Sequence, residues 1–425
     1  MKNAFRKPVI RKPSRQRSGV LAALDIGTSK IACFIAENNG STGPVIKGIG
    51  QHASTGMRSG EVVNIEALSV AIGKSVEAAE IMAGLPVDRV SVSVSGGAQK
   101  SVIRRHLTDV AEGVVSERDI SRVLRQDMET SEGEGRVALH RVPLQYMLDG
   151  VKGIRDPLGM RGRSLAVDLA VISAAESTLA NLTTVVERNH LEVDCFGASS
   201  YVSALSSLVE DEKDLGATVI DMGAGVTGIS IFMEGNLVYI DQVPIGGNHV
   251  TSDIARGLST PVEEAERIKT LHGSVLAAIG DTDQLLTLPL IGEKTRETAQ
   301  QVELGLLGEI IRPRIEETFE MLLNRLEAAG FGAAAGQRVI LTGGAAQLPG
   351  ITEFVSTLFG RAVRIGKPVG LVGMADATRG PSFSTTAGLI RYTSVEHESE
   401  PKPETLHETR GGMFGRIGEW FNNHI

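Results

Sequence analysis

Apolar and polar positions recur with a readable period along most of the chain. Gly19 to Phe34 reads as an apolar strand, a glycine-containing turn at Asp25 to Lys30 and a second strand, with Val45 to Gly50 able to pair beside it. Ile65 to Ala83 carries Leu68, Ile72, Val76, Ala79 and Met82 at helical spacing. Val87 to Val94 returns as an alternating strand bounded by Ser95, Gly96 and Gly97. From Gly96 to Ala174 the texture changes to short strands and turns around one charged helix, Glu117 to Thr130, which predicts a small inserted domain. A helix over Glu176 to Asn189 and a second stretch over Ala198 to Asp211 then lead into Ala217 to Phe232.

That last segment repeats the opening. LAALDIGTSKIACFIAE and TVIDMGAGVTGISIFME are each an apolar strand ending in Asp, a one-residue gap, Gly, small polar residues and another apolar strand. Their separation of about 200 residues indicates two copies of one α/β domain, not a short solenoid repeat. Glu303 to Leu326 predicts a long charged amphipathic helix, and Arg338 to Leu341 a strand running into the glycine turn Thr342 to Ala345. After Tyr392, TSVEHESEPKPETLHETRG is acidic, contains proline and has almost no apolar residue, the pattern of a flexible linker.

Composition narrows the picture. A chain of 425 residues exceeds what one core supports, and 42% hydrophobic with 22% charged residues describes a globular protein of at least two domains. Much of its glycine sits in polar turns after apolar runs, where a backbone turns sharply or approaches a ligand. Cys33 and Cys195 lie in apolar surroundings without CxxC spacing, as expected of buried thiols in a reducing compartment. No apolar run reaches the roughly 18 residues of a membrane span. The first residues, MKNAFRKPVIRKPSRQRSG, lack the apolar core of a signal peptide, so a cytoplasmic protein is expected. A net charge of −8 argues against nucleic acid as a partner, the basic arm notwithstanding.

Three turns carry candidate chemistry. Phosphates need backbone N–H groups close to them, and glycine and small residues permit that approach. Asp25, Gly27, Thr28, Ser29 and Lys30 fit the need, with Lys30 placed to neutralise phosphate and Asp25 to hold Mg²⁺ through water. An isolated turn of this kind is more often just a hairpin. Here a second follows, with Asp221 as its metal-side acid, Gly223, Gly225 and the hydroxyl of Thr227, and a third at Gly343, Gly344 and Ala345. Three such turns in this order resemble the actin, Hsp70 and sugar-kinase superfamily, which implies ATP with Mg²⁺ clamped between two lobes.

Longer motifs sharpen the resemblance. LHRVPLQYMLDGVKGIRDPLGMRGRSLAVDLAVIS at Leu139, SGEVVNIEAL at Ser59, EDEKDLGATVIDMGAG at Glu210, GGNHVTSDIARGL at Gly246 and VILTGGAAQLPGI at Val339 resemble the FtsA family of bacterial cell division. The resemblance spans nearly everything from Gly19 to Tyr392, plus the C-terminal helix, and implies duplicated actin-like (ribonuclease-H-like) α/β domains with an inserted small α+β subdomain and a C-terminal amphipathic helix. The expected division is a basic arm 1–18; a first lobe 19–95 and 175–215; the insert 96–174; a second lobe 216–257 and 335–392; a subdomain 258–334; a linker 393–410; and a terminal helix 411–425. It further implies filaments of the protein with itself and a subdomain 258–334 that takes the acidic C-terminal tail of FtsZ, with Arg312 and Arg314 as contacts. Later division proteins would dock on the insert, at the septum on the cytoplasmic face of the inner membrane. A small-metabolite kinase would need an acidic base beside the cleft, and the first lobe offers no convincing candidate; an Hsp70-like chaperone would need a peptide-binding domain after the second lobe, where only a linker and one helix are expected. A pilus-assembly relative shares the fold but should lack the terminal helix.

Hydrolysis is expected to be slow at most. The segment before the second phosphate turn, Asp194 to Ser200, offers only Asp194 to orient an attacking water, and Ala224 stands where a glycine is usual. At the C-terminus, Met413, Phe414, Ile417, Trp420, Phe421 and Ile425 fall on one helical face, with Arg416, Glu419, Asn422 and Asn423 opposite. Such a helix lies in a membrane interface and makes lipid a partner.

Overall fold

The computed structural model describes residues 19–38, 43–130, 132–276, 285–292, 300–332 and 338–395. The basic arm, the linker from residue 396 and the terminal amphipathic stretch lie outside the described residues. Strands β1 (Gly19–Ile26), β2 (Lys30–Asn38) and β3 (Pro44–Ala53) form a meander. A short hairpin of β4 (Met57–Arg58) and β5 (Glu61–Val62) leads to helix α1 (Ile65–Ala83), and β6 (Arg89–Val94) returns parallel to β1. The side chain of Asn64 accepts from the amide of Ala67 to start α1, and Gly84 closes it in the left-handed region. Leu68, Ile72, Val76 and Ala79 are buried as the period predicts; Met82, on the same predicted face, is exposed.

The chain then enters the insert: β7 (Lys100–Asp109), α2 (Glu117–Met128), β8 (Arg136–Leu148), β9 (Val151–Ile154) and β10 (Ser164–Ala175). Its sheet runs β7-β10-β8-β9, with α2 packed on β7 and β10. Entry and exit are tied where the amide of Ala175 donates to the carbonyl of Gly97. Inside, the buried carboxylate of Asp127 is met by Arg104, His106 and Arg141, and Glu132 pairs with both arginines. Paired in this way, buried charge is tolerated.

Helix α3 (Glu176–Glu187) and β11 (Glu192–Ala198) complete the first sheet, ordered β11-β6-β1-β2-β3. The predicted stretch Ala198 to Asp211 is broken into α4 (Ser199–Ser207) and α5 (Glu210–Leu215), because the chain is extended at Leu208 and Val209. Next come β12 (Ala217–Met222), β13 (Thr227–Met233), β14 (Asn236–Val243), α6 (Gly247–Gly257), α7 (Val262–His272), β15 (Leu285–Leu288), β16 (Gln300–Glu303) and α8 (Leu304–Ala328). The described chain ends with β17 (Arg338–Thr342), α9 (Ile351–Phe359), β18 (Ala362–Ile365) and α10 (Ser384–Thr393).

The second sheet, β18-β17-β12-β13-β14, repeats the first strand for strand. In each, the leading strand pairs antiparallel with the next and parallel with a later one. In β1 and β2 the central residues are buried on both faces, which explains their near-continuous apolar runs. Helices α4 and α10 pack on each other between the sheets, α10 against β1, β2 and β6 and α4 against β12 and β13. Within residues 335–392, β17 and β18 belong to the second sheet, while α10 packs on the first. Ala387, Leu389, Ile390 and Tyr392 bury themselves in the core built on the first sheet.

Candidate functional site

The three glycine turns, from segments far apart in sequence, line one cleft of about 1070 Å³. All twelve residues singled out in the turns face it: Asp25, Gly27, Thr28, Ser29, Lys30, Asp221, Gly223, Gly225, Thr227, Gly343, Gly344 and Ala345. The two hairpin turns are built alike. The amide of Gly27 donates to the Lys30 carbonyl at 3.0 Å, and the amide of Gly223 to the Val226 carbonyl at 2.9 Å. A Cβ at Gly27 would stand 2.7 Å from the first carbonyl and one at Gly223 2.8 Å from the second, so each closure needs glycine.

The tips of the hairpins meet. A Cβ on Gly225 would lie 2.4 Å from the Thr28 hydroxyl and 2.9 Å from Cα of Ser59. Among the described residues, the tip amides of Thr28, Ser29, Ala224 and Gly225 donate to no protein group. Four such donors on two facing turns suit an anion with several oxygens. At the third turn Gly343 holds φ +88°, and a Cβ there would reach within 2.5 Å of the Met222 carbonyl, while Gly344 opens to space.

Two aspartates sit at the strand ends behind the turns. Ser93 Oγ donates to Asp25 Oδ1 at 2.7 Å, and Thr385 Oγ1 to Asp221 Oδ2 at 3.3 Å. Burial pushes the Asp25 carboxyl above its ordinary range, against the pull of Ser93 and Lys30. Burial, aided by the nearby charge of Asp25, pushes Asp221 up to about 7. Two buried carboxyls that repel one another are a setting a divalent cation relieves. Among the described residues no three metal-ligating side chains gather. A hard cation here would therefore complete its shell with water and ligand oxygens, as Mg²⁺ does. The donor set fits a Mg²⁺-bound polyphosphate.

Lys30 is held by its surroundings. Its Nζ donates to the Ser382 carbonyl at 2.7 Å and lies 3.3 Å from the Phe383 ring centroid. Burial lowers it to about 8, with Asp25 opposing.

Several expectations shift. The Thr227 hydroxyl donates to the Ile245 carbonyl at 2.8 Å, so its proton is not available to a phosphate. Asp194 does not line the cleft; Ser199 and Ser200, at the start of α4, do. Arg314 is taken up by Asp253 of α6 and by Glu317, whereas Arg312 is half-exposed beside Glu316. Sequence reasoning missed the far wall, where Thr251 of α6 bonds to Glu266 of α7. Lys269 donates to Thr251, to Glu266 and to the Gly247 carbonyl at 2.8, 2.6 and 3.2 Å. The only sequence signal there was an acid and a base three apart on a helix, which reads as an ordinary surface pair.

Two like-ordered sheets, two helices between them and a cleft closed by paired hairpins define a protein of the actin-like fold. Solved structures agree. The chain matches one from the PilM–PilN type IV pilus biogenesis complex with TM-score 0.64 at 17% identity, over 90% of this chain and all of that one. It matches MreB 5 of Spiroplasma citri bound to AMPPNP with TM-score 0.52 at 12% identity, over 93% and 100%. Residues 218–388 match the family model of cell division protein FtsA, and residues 96–173 that of the SHS2 domain inserted in FtsA. The chain is 41% identical to cell division protein FtsA of Agrobacterium fabrum over 98% of its length and 97% of the relative. It is 40% identical to that of Rhizobium meliloti over the same shares, and 29% identical to that of Escherichia coli over 96% and 98%. The chain belongs to the FtsA family, the actin-like proteins of bacterial cell division.

Proposed function

We propose that the protein binds Mg²⁺ and ATP in the cleft and, as a polymer, tethers the FtsZ ring to the inner face of the cytoplasmic membrane at the septum. The observation that carries the nucleotide half is the convergence of three glycine turns, two buried aspartates and Lys30 on one cleft. In this reading the amides of Thr28, Ser29, Ala224 and Gly225 hold phosphate oxygens. Asp25 and Asp221 orient cation-bound water, Lys30 offsets phosphate charge, and the Glu266–Lys269 wall takes the nucleoside end. Bound Mg²⁺ supplies charge neutralisation between the phosphates and the two carboxylates. Turnover is slow, because the segment before the second turn presents hydroxyls to the cleft and no carboxylate.

The tethering half rests on the family. The FtsZ tail docks on the subdomain 258–334, with Arg312 the better placed of the two arginines because Arg314 already holds α8 to α6. Later division proteins dock on the insert, and residues 411–425 bind lipid. A single short amphipathic helix binds lipid reversibly, and a polymer presenting many of them gains avidity without new contacts. The test is co-sedimentation of the full chain with vesicles, with and without Mg·ATP and FtsZ. Wild type should pellet, more with ATP, and carry FtsZ with it. Trp420→Glu, which sets a charge in the middle of the apolar face, should stay in the supernatant while still binding ATP. Pelleting of that variant like wild type would place the anchor elsewhere.

A further inference from the structure

Five consecutive residues, Pro381 to Thr385, bond to all three glycine turns. The Pro381 carbonyl accepts from the Gly343 amide at 3.2 Å and from the Thr342 hydroxyl at 3.3 Å. The Ser382 carbonyl accepts from Lys30, and Phe383 lies under that ammonium. The hydroxyls of Thr342 and Ser384 lie within hydrogen-bond reach at 2.7 Å, and Thr385 donates to Asp221. This strap opens α10, which buries its own apolar face in the first-lobe core and ends where the described chain ends. It therefore reaches from a helix seated on the first sheet to the acid of the second.

We propose that the strap is a positioning element of the cation site: Thr385 orients the Asp221 carboxylate, and Ser382 with Phe383 parks the Lys30 ammonium in the same cleft. The proposal rests on the Mg·ATP reading above and goes beyond it by making α10 part of the site. Asp25 has its own hydroxyl, Ser93, from the strand next to β1 within the same sheet. One hydroxyl on Asp221 comes instead from α10, 164 residues away, beside that of Ser203 on α4. When the cation and phosphates occupy the cleft they compete for both groups the strap holds, so the first turn of α10 changes its bonding with occupancy.

The experiment titrates ATP into the full-length protein by calorimetry, once with excess Mg²⁺ and once with EDTA, for wild type, Thr385→Val and Thr385→Ser. Valine keeps the shape and removes the donor; serine restores it. Thr385→Val should bind ATP about tenfold more weakly with Mg²⁺, equally well with EDTA, and Thr385→Ser should recover most of the loss. Hydrogen exchange at residues 382–388 of wild type should change on addition of Mg·ATP. Two outcomes overturn the proposal: Thr385→Val matching wild type in Mg²⁺, or losing ATP equally with and without Mg²⁺, which marks a structural role. Should wild type bind no ATP in either buffer, the nucleotide reading itself fails and takes this one with it.

Discussion

Replacing Gly225 by alanine tests whether the two hairpins work as a facing pair. The new methyl would stand 2.4 Å from Thr28 Oγ1, 2.9 Å from Thr28 Cγ2 and 2.9 Å from Cα of Ser59. Carbon contacts settle near 3.5 to 4.0 Å, so the tips must part by roughly 1 Å. Rotating Thr28 relieves only one of its two contacts, since hydroxyl or methyl still faces the new carbon, and the Ser59 contact is backbone. Ser59 already sits at φ +47°, a left-handed conformation with little freedom to yield. Overpacking of this kind costs about 1–3 kcal/mol. If the tips must close on one ligand, that range corresponds to a roughly 5- to 150-fold loss of affinity. Calorimetric titration with Mg·ATP reads the loss, and urea unfolding checks that the variant is folded. Affinity within twofold of wild type would refute the reasoning, because hairpins that tolerate a parted geometry are not clamping one ligand.

Two further outcomes follow from the site. Asp221 is raised from 3.8 to about 7, so its neutral form favours the empty fold, and this contribution to stability fades as pH rises from about 4 to 7. A cation needs the carboxylate, so Mg·ATP affinity should climb with pH, about tenfold per unit below 7, and level off above it; a flat profile from pH 6 to 8 in calorimetry would contradict this. Steady-state ATP hydrolysis should run far below the enzyme median of about 10 per second, and a rate near that value in a coupled assay would require a water-orienting group not identified at Ser199 and Ser200.

The sequence disclosed what is local. The turns were legible because Asp and Gly follow an apolar strand, and the duplication because the same pattern returns at Asp221. Helix α1 could be read to its ends, since Asn64 and Gly84 cap a clean period. The remainder depends on distant partners. Ser93 and Thr385 have no motif of their own; they matter because folding sets them against Asp25 and Asp221. Thr227 looked like a phosphate donor from its place after the turn, but its hydroxyl serves the carbonyl of Ile245, eighteen residues on. Helix α10 follows the second lobe in sequence and packs on the first, a crossing that no local pattern encodes.

The central claim is that the third turn and the two hairpins surround one nucleotide, and Gly344→Asp tests it most directly. A Cβ at Gly344 meets nothing closer than Ser382 Cβ at 3.8 Å, so the fold accommodates the change while a carboxylate enters the cleft. Calorimetric titration of Mg·ATP into wild type and Gly344→Asp, matched for thermal unfolding, should show saturable binding to wild type and none to the variant. Equal affinity in the two proteins would show that the third turn is not at the nucleotide and would contradict the account.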